Sequence, residues 1–316
     1  MMSSLTNLKA LFNMKKVYLT FDIETIVSGL GYNSNYLGGV YLGAMYIAQQ
    51  LRERNLKATF FVSLSSKMDE IPNNEYQKVV DWLIKSLKGY DNIKIAPHMH
   101  AYRLDASFDC NYDFWNMYAE NEQKELLGYA KKLFAKYDLN ADSFRPGGFK
   151  ANDEYYRGLS ESGYKYSSIL DKKSAPQIDL ITGNCRNLEP YETSFSVKEY
   201  PVSSVRVKSF KGSIDTLNLS PDFFTLESVK PFLDKLNYLN INFHSFSVFL
   251  NRPLRENFSM LILRNIRFVL FDYWLCKLLR VFGYDVLRKE TIHRKELTKW
   301  LDYIESNNYQ TYFIGE

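Results

Sequence analysis

The chain has 316 residues, of which 46% are apolar, and its 40 basic and 36 acidic side chains give a formal charge of +4. The absence of a dense Lys/Arg block and of any nucleic-acid-reading motif argues against a dedicated nucleic-acid binder. Three widely spaced cysteines without a CxxC pair indicate neither a thiolate zinc site nor a disulfide framework. Residues 1–16 contain no long apolar run and no small-residue cleavage site, so we expect a cytoplasmic protein.

Segments rich in β-forming residues alternate along the chain with segments of helical periodicity. The predicted strands cover residues 15–23, 57–64, 92–100, 141–149, 164–170, 197–204 and 239–246. The predicted helices cover residues 38–55, 74–89, 120–137 and 152–163. This alternation requires a parallel sheet with helices outside it. Because seven such strands occur without a GxGxxG motif, we predict an α/β barrel over residues 15–316, preceded by an N-terminal extension over residues 1–14.

The stretch of residues 260–287 is very apolar but is interrupted by charged side chains. No uncharged run in it reaches the roughly 18 residues that a spanning helix needs. We predict that it belongs to a helical insertion, at about residues 253–290, that packs on the barrel. A weak peripheral contact with the inner face of a membrane, through residues 260–287, is the alternative interpretation.

Two pairs of polar residues end predicted strands, where the chemistry of a barrel collects. His98 and His100 are two of only four histidines, and their i, i+2 spacing on a strand points both side chains the same way. Asp22 and Glu24 have the same spacing. Two imidazoles and one carboxylate can hold a divalent metal, and the second carboxylate can accept a proton from water. The alternatives are a chance histidine pair, a helix-capping Asp and a salt-bridged Glu.

Three further residues carry weaker signals. Arg145 follows a predicted strand and precedes two glycines, where it could orient a carboxylate bidentately or lie on the surface beside a turn. His244 ends an apolar strand, a position that suits a general acid or a buried, hydrogen-bonded histidine. His293 lies in a charged helical stretch, and we predict that it is on the surface without a functional role.

In this order, "TFDIE" (20–24), "HMH" (98–100), "RPGG" (145–148) and "NFHS" (242–245) resemble motifs of the polysaccharide deacetylases of the NodB homology type, carbohydrate esterase family 4. The stretch "SGYKYSSIL" (162–170) resembles that family's strand after the arginine turn. The resemblance implies the family's distorted, TIM-like (β/α)₇ barrel. It also implies a divalent metal, usually Zn²⁺, held by an Asp-His-His triad.

Carried over residue by residue, the resemblance implies that Asp22 is the base and that Arg145 tethers it. It implies that His244 is the general acid and that His98 and His100 are metal ligands. Two departures from the family pattern are visible. Ile23 stands where the family has its second Asp, so we expect Glu24, one residue further on, to be the carboxylate ligand. The histidines have HxH spacing and not the commoner HxxxH spacing. The roles of Asp22 and Glu24 could also be exchanged.

The resemblance implies a metal-dependent hydrolase that removes an N-acetyl group from a sugar during polysaccharide, O-antigen or capsule biosynthesis. With a cytoplasmic location, a nucleotide-linked or lipid-linked sugar is the expected substrate. Two alternatives remain open from the sequence. One is a non-catalytic glycan-binding relative, suggested by the missing second Asp, and the other is an amidase or O-acetyl esterase of the same fold.

Overall fold

The computed structural model describes residues 15–24, 37–65, 75–100, 115–170, 175–208, 212–249 and 290–316. The predicted N-terminal extension and the predicted insertion, except its last residue, lie outside these described ranges. The predicted membrane contact through residues 260–287 lies outside them as well. Within the described ranges, no helix combines the length and the apolar character that crossing a bilayer requires.

Strands and helices alternate through the first half of the described chain, as predicted. In chain order the strands are β1 (Lys16–Ile23), β2 (Ala58–Ser65), β3 (Ile93–His100), β4 (Ser143–Pro146), β5 (Tyr166–Ser167), β6 (Gln177–Asp179), β7 (Asn184–Arg186), β8 (Tyr191–Glu192), β9 (Lys198–Glu199), β10 (Ser204–Lys208), β11 (Ile214–Asn218), β12 (Tyr238–His244) and β13 (Gln310–Tyr312). The α-helices are α1 (Gly43–Glu53), α2 (Glu75–Leu87), α3 (Glu120–Ala135), α4 (Asp153–Glu161), α5 (Leu226–Leu233) and α6 (Ile292–Ser306). Short π-helical or 3₁₀ turns occupy Leu37–Leu42, Trp115–Met117, Gly147–Phe149 and Ser245–Phe249.

The main sheet has the order β12-β1-β2-β3-β4-β5-β9-β8, and β13 also pairs with β1. The seven strands from β12 to β9 are parallel to one another, and β8 is antiparallel to β9. The segment after β9 links the two ends of this row: the Val202 N–H donates to the Ile169 carbonyl (2.8 Å), and the Ser203 N–H donates to the Asn240 carbonyl (2.9 Å). These bonds curl the sheet toward a distorted seven-stranded barrel, which confirms the predicted fold class.

Alternation along the strands separates an outer core from the barrel interior. In β1, Val17, Leu19 and Phe21 belong to the large cluster that includes the helix side chains, whereas Tyr18 belongs to a separate aromatic cluster. Parallel strands covered on both faces are buried on both faces, and every β1 residue after Lys16 is buried. Because successive side chains point to opposite faces, Tyr18, Thr20 and Asp22 share the interior face.

The lower end of the barrel, where the strands begin, is filled by apolar side chains. Tyr18, Phe61, Tyr200, Tyr238 and Ile314 form the buried cluster there, together with Ala96. Ile314 comes from the chain segment after β13, and its N–H donates to the Thr59 hydroxyl at 3.0 Å. In β1 and β12, the polar interior side chains follow this aromatic filling, toward the carboxyl ends of the strands.

Three predicted strands are shorter than expected. The predicted strand 141–149 ends at Pro146. Gly148 and Phe149 have φ values of 65° and 57°, which are incompatible with the extended backbone of a strand. The predicted strand 164–170 forms ladder pairs only at Tyr166–Ser167. The predicted strand 197–204 is split by Pro201, which has no N–H to donate to a ladder. Its second part, β10, joins an unpredicted four-stranded sheet of order β11-β10-β6-β7.

The predicted surface position of His293 is wrong. The side chain is 1% exposed in the first turn of α6. Of the charged neighbours that suggested exposure, Lys295 is exposed, but Glu296 is buried with His293 on the face of this amphipathic helix that carries residues at helical spacing. These residues are His293, Glu296, Leu297, Trp300, Leu301 and Ile304.

Glu199 is a fully buried carboxylate in the barrel wall. It accepts hydrogen bonds from the Ile169 N–H (2.8 Å) and the Tyr156 hydroxyl (3.1 Å). Burial outweighs these bonds and raises the pKa of Glu199 from 4.5 to about 7. Between pH 4.5 and about 7, Glu199 therefore holds a proton in the folded protein that it has lost in the unfolded chain.

This difference predicts how Glu199 affects stability. The contribution of Glu199 to the free energy of unfolding is fully present below pH 4.5 and is lost as the pH rises through about 7. We expect the free energy of unfolding of the wild type, minus that of Glu199→Gln, to fall by about 3 kcal/mol across this window in urea titrations. Glu192→Gln, at an exposed position of the paired strand β8, is the matched control for the substitution itself. A flat profile for Glu199→Gln would contradict the raised pKa.

Candidate active site

All six residues singled out from the sequence lie together at the carboxyl ends of four strands. Asp22 on β1 is in register with His244 on β12. His98 on β3 is in register with Arg145 on β4. The strand order brings these ends to one side of the barrel, so the predicted clustering is observed.

A first group consists of Glu24, His98 and His100. The His100 Nε2 lies 2.8 Å from Glu24 Oε2, and the His98 Nε2 lies 3.5 Å from the same oxygen. The potential ligand atoms of the three residues all lie within 4.8 Å of one another. Although burial alone would raise the pKa of Glu24, hydrogen bonds from His100 and His98 hold it well below its ordinary value.

This group fits a divalent cation. Two imidazole nitrogens and one carboxylate oxygen form a donor set typical of zinc and related ions. The Nδ1 of His98 lies 3.1 Å from the Arg145 carbonyl oxygen, to which it donates, and Nε2 is the ring nitrogen that faces Glu24. A metal-binding histidine is commonly oriented by such a bond on its other nitrogen.

The departure at Ile23 has a simple explanation in the strand. Ile23 is completely buried in the outer core with the helix side chains. Because side chains alternate, an acid at position 23 would point away from His98 and His100, whereas Glu24 points toward them. The Ser245 hydroxyl holds this strand end by accepting from the Glu24 N–H (3.0 Å) and donating to the Glu24 carbonyl (3.1 Å).

Helix α1 approaches this strand end closely at Gly43. A Cβ atom at position 43 would lie 2.3 Å from the Ser245 carbonyl oxygen, a separation that no side chain tolerates. Glycine therefore lets α1 pack directly against the turn that anchors Glu24.

A second group is the buried ion pair of Asp22 and Arg145. The Arg145 Nη1 donates to Asp22 Oδ1 at 2.7 Å, and the side chains of Arg145 and Asp22 are 0% and 1% exposed. Further bonds run from Arg145 to the side chains of Asn242 (2.8 Å), Thr20 (2.9 Å) and Ser168 (2.8 Å). The Asn242 amide also donates to Asp22 Oδ2 at 3.1 Å. This network fixes the orientation of the Asp22 carboxylate.

A third group is His244 and Asp222. The His244 Nδ1 lies 2.7 Å from Asp222 Oδ2, which also accepts the His244 N–H at 3.0 Å. The other ring nitrogen, Nε2, is 3.5 Å from Glu24 Oε1 and 3.8 Å from Asp22 Oδ2. Burial alone would lower the pKa of His244, but Asp222, Glu24 and Asp22 together raise it to about 9. These carboxylates therefore favour the protonated form of the imidazole.

Sequence reasoning missed Asp222, Asn242, Thr20 and Ser168. One signal was available: Asn242 lies two residues before His244 on the same strand, and therefore on the same face. Thr20 has the same relation to Asp22. Asp222 lies in a turn after β11 without any recognisable pattern, and no signal in the sequence connects it with His244.

No family model and no curated protein matches the sequence. Solved structures resemble the chain distantly. A proposed polysaccharide deacetylase from Mycobacterium smegmatis is 16% identical over 85% of this chain and 92% of its own, with a TM-score of 0.44. A proposed polysaccharide deacetylase of O-antigen biosynthesis from Bordetella bronchiseptica is 12% identical over 90% of both chains, with a TM-score of 0.44.

A pseudoenzyme of carbohydrate esterase family 4 from Bacillus anthracis is also similar, at 11% identity over 96% of this chain and 65% of its own, with a TM-score of 0.45. The family named from the sequence motifs is thus represented among these structures. At such low identities, the chemistry of the site has to be argued from the residues of this chain.

The buried ion pair gives a stability prediction. Replacing Arg145 by Met leaves the Asp22 carboxylate buried without its counter-charge, which typically costs about 3–5 kcal/mol. We expect Arg145→Met to lower the free energy of unfolding by that amount in urea denaturation. In the matched control Arg157→Met, an arginine that is 45% exposed and pairs with Glu120 is removed. There the loss should stay below about 1 kcal/mol. Equal losses would contradict the importance of burial.

Proposed function

We propose that this protein is a metal-dependent hydrolase that removes N-acetyl groups from sugars in glycan biosynthesis. The observation that supports it most is the placement of a fixed carboxylate, Asp22, and an imidazole bonded to Asp222, His244, beside the Glu24–His98–His100 group. Amide hydrolysis needs a base to activate water and an acid to release the amine. The site offers one group for each task.

Glu24, His98 and His100 would hold the cation. When bound, a divalent metal polarises the acetamide carbonyl and makes water more acidic. Glu24 suits the ligand role because both imidazoles face its Oε2. Asp22 bonds instead to Arg145 and Asn242, an arrangement that suits a base. These contacts support Asp22 as the base and Glu24 as the metal ligand, and not the exchange of these two roles.

The protein residues would move two protons. Asp22 accepts one proton from the water as its oxygen bonds to the carbonyl carbon. His244 donates its Nε2 proton to the sugar nitrogen as the C–N bond breaks, so that the products are acetate and a free amine. Asp222, bonded to His244 Nδ1, balances the imidazolium charge.

A sugar is a suitable substrate class for this site. The Phe246 ring lies 5.2 Å from the His244 ring, between centroids, and the Phe149 ring lies 5.4 Å from the Arg145 guanidinium carbon. Both rings are only partly buried, and apolar faces of sugar rings pack well on aromatic rings. The nucleotide-linked or lipid-linked form of the sugar stays a prediction.

Metal binding can be tested without a substrate. We expect elemental analysis of protein purified without chelator to find about one divalent ion per chain, with zinc as the expected metal. The double variant His98→Ala/His100→Ala should lose it. The surface double variant Gln49→Ala/Gln50→Ala is the control and should retain it. A metal-free wild type that nevertheless binds glycan would favour the non-catalytic alternative.

The general-acid role of His244 predicts a difference between two leaving groups. An amine must be protonated to leave, whereas an aryl oxide leaves without help. We expect His244→Gln to lower kcat for acetate release from an N-acetylglucosamine oligomer by about 10²–10⁴-fold, with a small change in KM. Hydrolysis of 4-methylumbelliferyl acetate should fall by a much smaller factor. Parallel losses on both substrates would contradict the acid role.

The same assay separates the proposed function from the esterase alternative. Acetate release from a panel of N-acetylated oligosaccharides, nucleotide sugars and lipid-linked sugars should exceed release from O-acetylated sugars. A preference for O-acetyl groups would replace the deacetylase assignment by the esterase one.

A further inference from the structure

His293 is the fourth histidine, and its surroundings are unusual for a residue that only packs. It is 1% exposed, and neither ring nitrogen has a hydrogen-bond partner within the described ranges. Its Nδ1 lies 3.7 Å from Asp222 Oδ1. That oxygen also has no hydrogen-bond partner among the described residues. Two buried polar groups that lack partners therefore face each other across a short gap.

Asp222 lies between two imidazoles. One carboxylate oxygen, Oδ2, bonds to the ring and the backbone of His244, and the other faces His293. The side chain of Asp222 is 6% exposed. Because a buried carboxylate without donors on one oxygen is unfavourable, a donor from His293 would stabilise it and fix its rotation.

Helix α6 is anchored in a way that keeps His293 in this position. The Thr291 hydroxyl accepts from the Arg294 N–H at the start of the helix (3.1 Å) and donates to the Val248 carbonyl (2.8 Å). One turn later, Glu296 Oε1 accepts from the Leu226 N–H at 2.5 Å. These bonds tie the first turn of α6 both to the segment after β12 and to the segment that carries Asp222.

We propose that His293 is a positioning residue that holds the Asp222 carboxylate through its Nδ1–H and thereby orients His244 toward the leaving nitrogen. The three side chains form a chain from the helix to the site: His293, Asp222 and His244. The inference rests on the proposed function for its chemical purpose, but the positioning itself can be measured without any substrate.

Two substitutions separate donation from packing. His293→Asn places an amide N–H near the position of Nδ1, whereas His293→Leu keeps a similar volume without a donor. Trp300→Phe is the structural control, because Trp300 is buried on the same face of α6 but has no contact with Asp222 among those described.

The first readout is the pair of ¹⁵N chemical shifts of the His244 ring, which report its tautomer and hydrogen bonding. We expect His293→Leu to move these shifts away from the wild-type values, and His293→Asn and Trp300→Phe to leave them close to those values. Unchanged shifts in His293→Leu, or an equal change in Trp300→Phe, would overturn the proposal. If His293→Leu does not fold, His293→Gln moves the amide to the Nε2 position and should change the shifts in the same way.

The second readout links positioning to chemistry. We expect His293→Leu to lower kcat on the N-acetylglucosamine oligomer by roughly tenfold to a hundredfold with little change in KM. The loss on 4-methylumbelliferyl acetate should be smaller, and His293→Asn should restore most of the amide activity. Equal losses on both substrates would overturn the positioning role. If the wild type cleaves neither substrate, the proposed function fails, and the ¹⁵N shifts alone decide the positioning of His244.

Discussion

The buried pairing of Arg145 with Asp22 is the interaction on which the site depends. Its guanidinium bonds to side chains from β1, from β12 and from the residue after β5, while the arginine itself belongs to β4. An isolated buried charge is unfavourable, so this arginine is compatible only with a closed wall that supplies all its partners. The same network that neutralises the charge therefore requires the curled sheet and fixes the proposed base within it.

Strand alternation explains how one barrel holds an apolar floor and a polar rim. The interior positions of β12 are Tyr238, Asn240, Asn242 and His244, which change from aromatic to amide to imidazole along the strand. β1 changes in the same direction, from Tyr18 through Thr20 to Asp22. The polar groups are thus concentrated toward the carboxyl ends, and the Arg145 guanidinium lies on the Phe61 ring of the aromatic cluster.

Much of the site could be predicted because its geometry is local. The i, i+2 spacing of Asp22 and Glu24, and of His98 and His100, contains the information that each pair shares one face. The partners that come from distant turns could not be predicted. Asp222 lies in an irregular turn, and His293 reaches it only because α6 packs across that turn. The short strands were also overestimated, since a strand length depends on its neighbours and on residues such as Pro201, and not only on its own β-propensity.

The proposed acid and base are kept distinct by their partners. Asp22 is paired with a permanent cation, Arg145, and His244 is paired with a carboxylate, Asp222. Glu24 lies between them and contacts His98, His100 and His244. These contacts suit its proposed role, in which it joins the imidazole pair in holding a cation. In this chain, position 23 carries a buried isoleucine of the apolar core, and the next inward position carries Glu24 beside the two imidazoles.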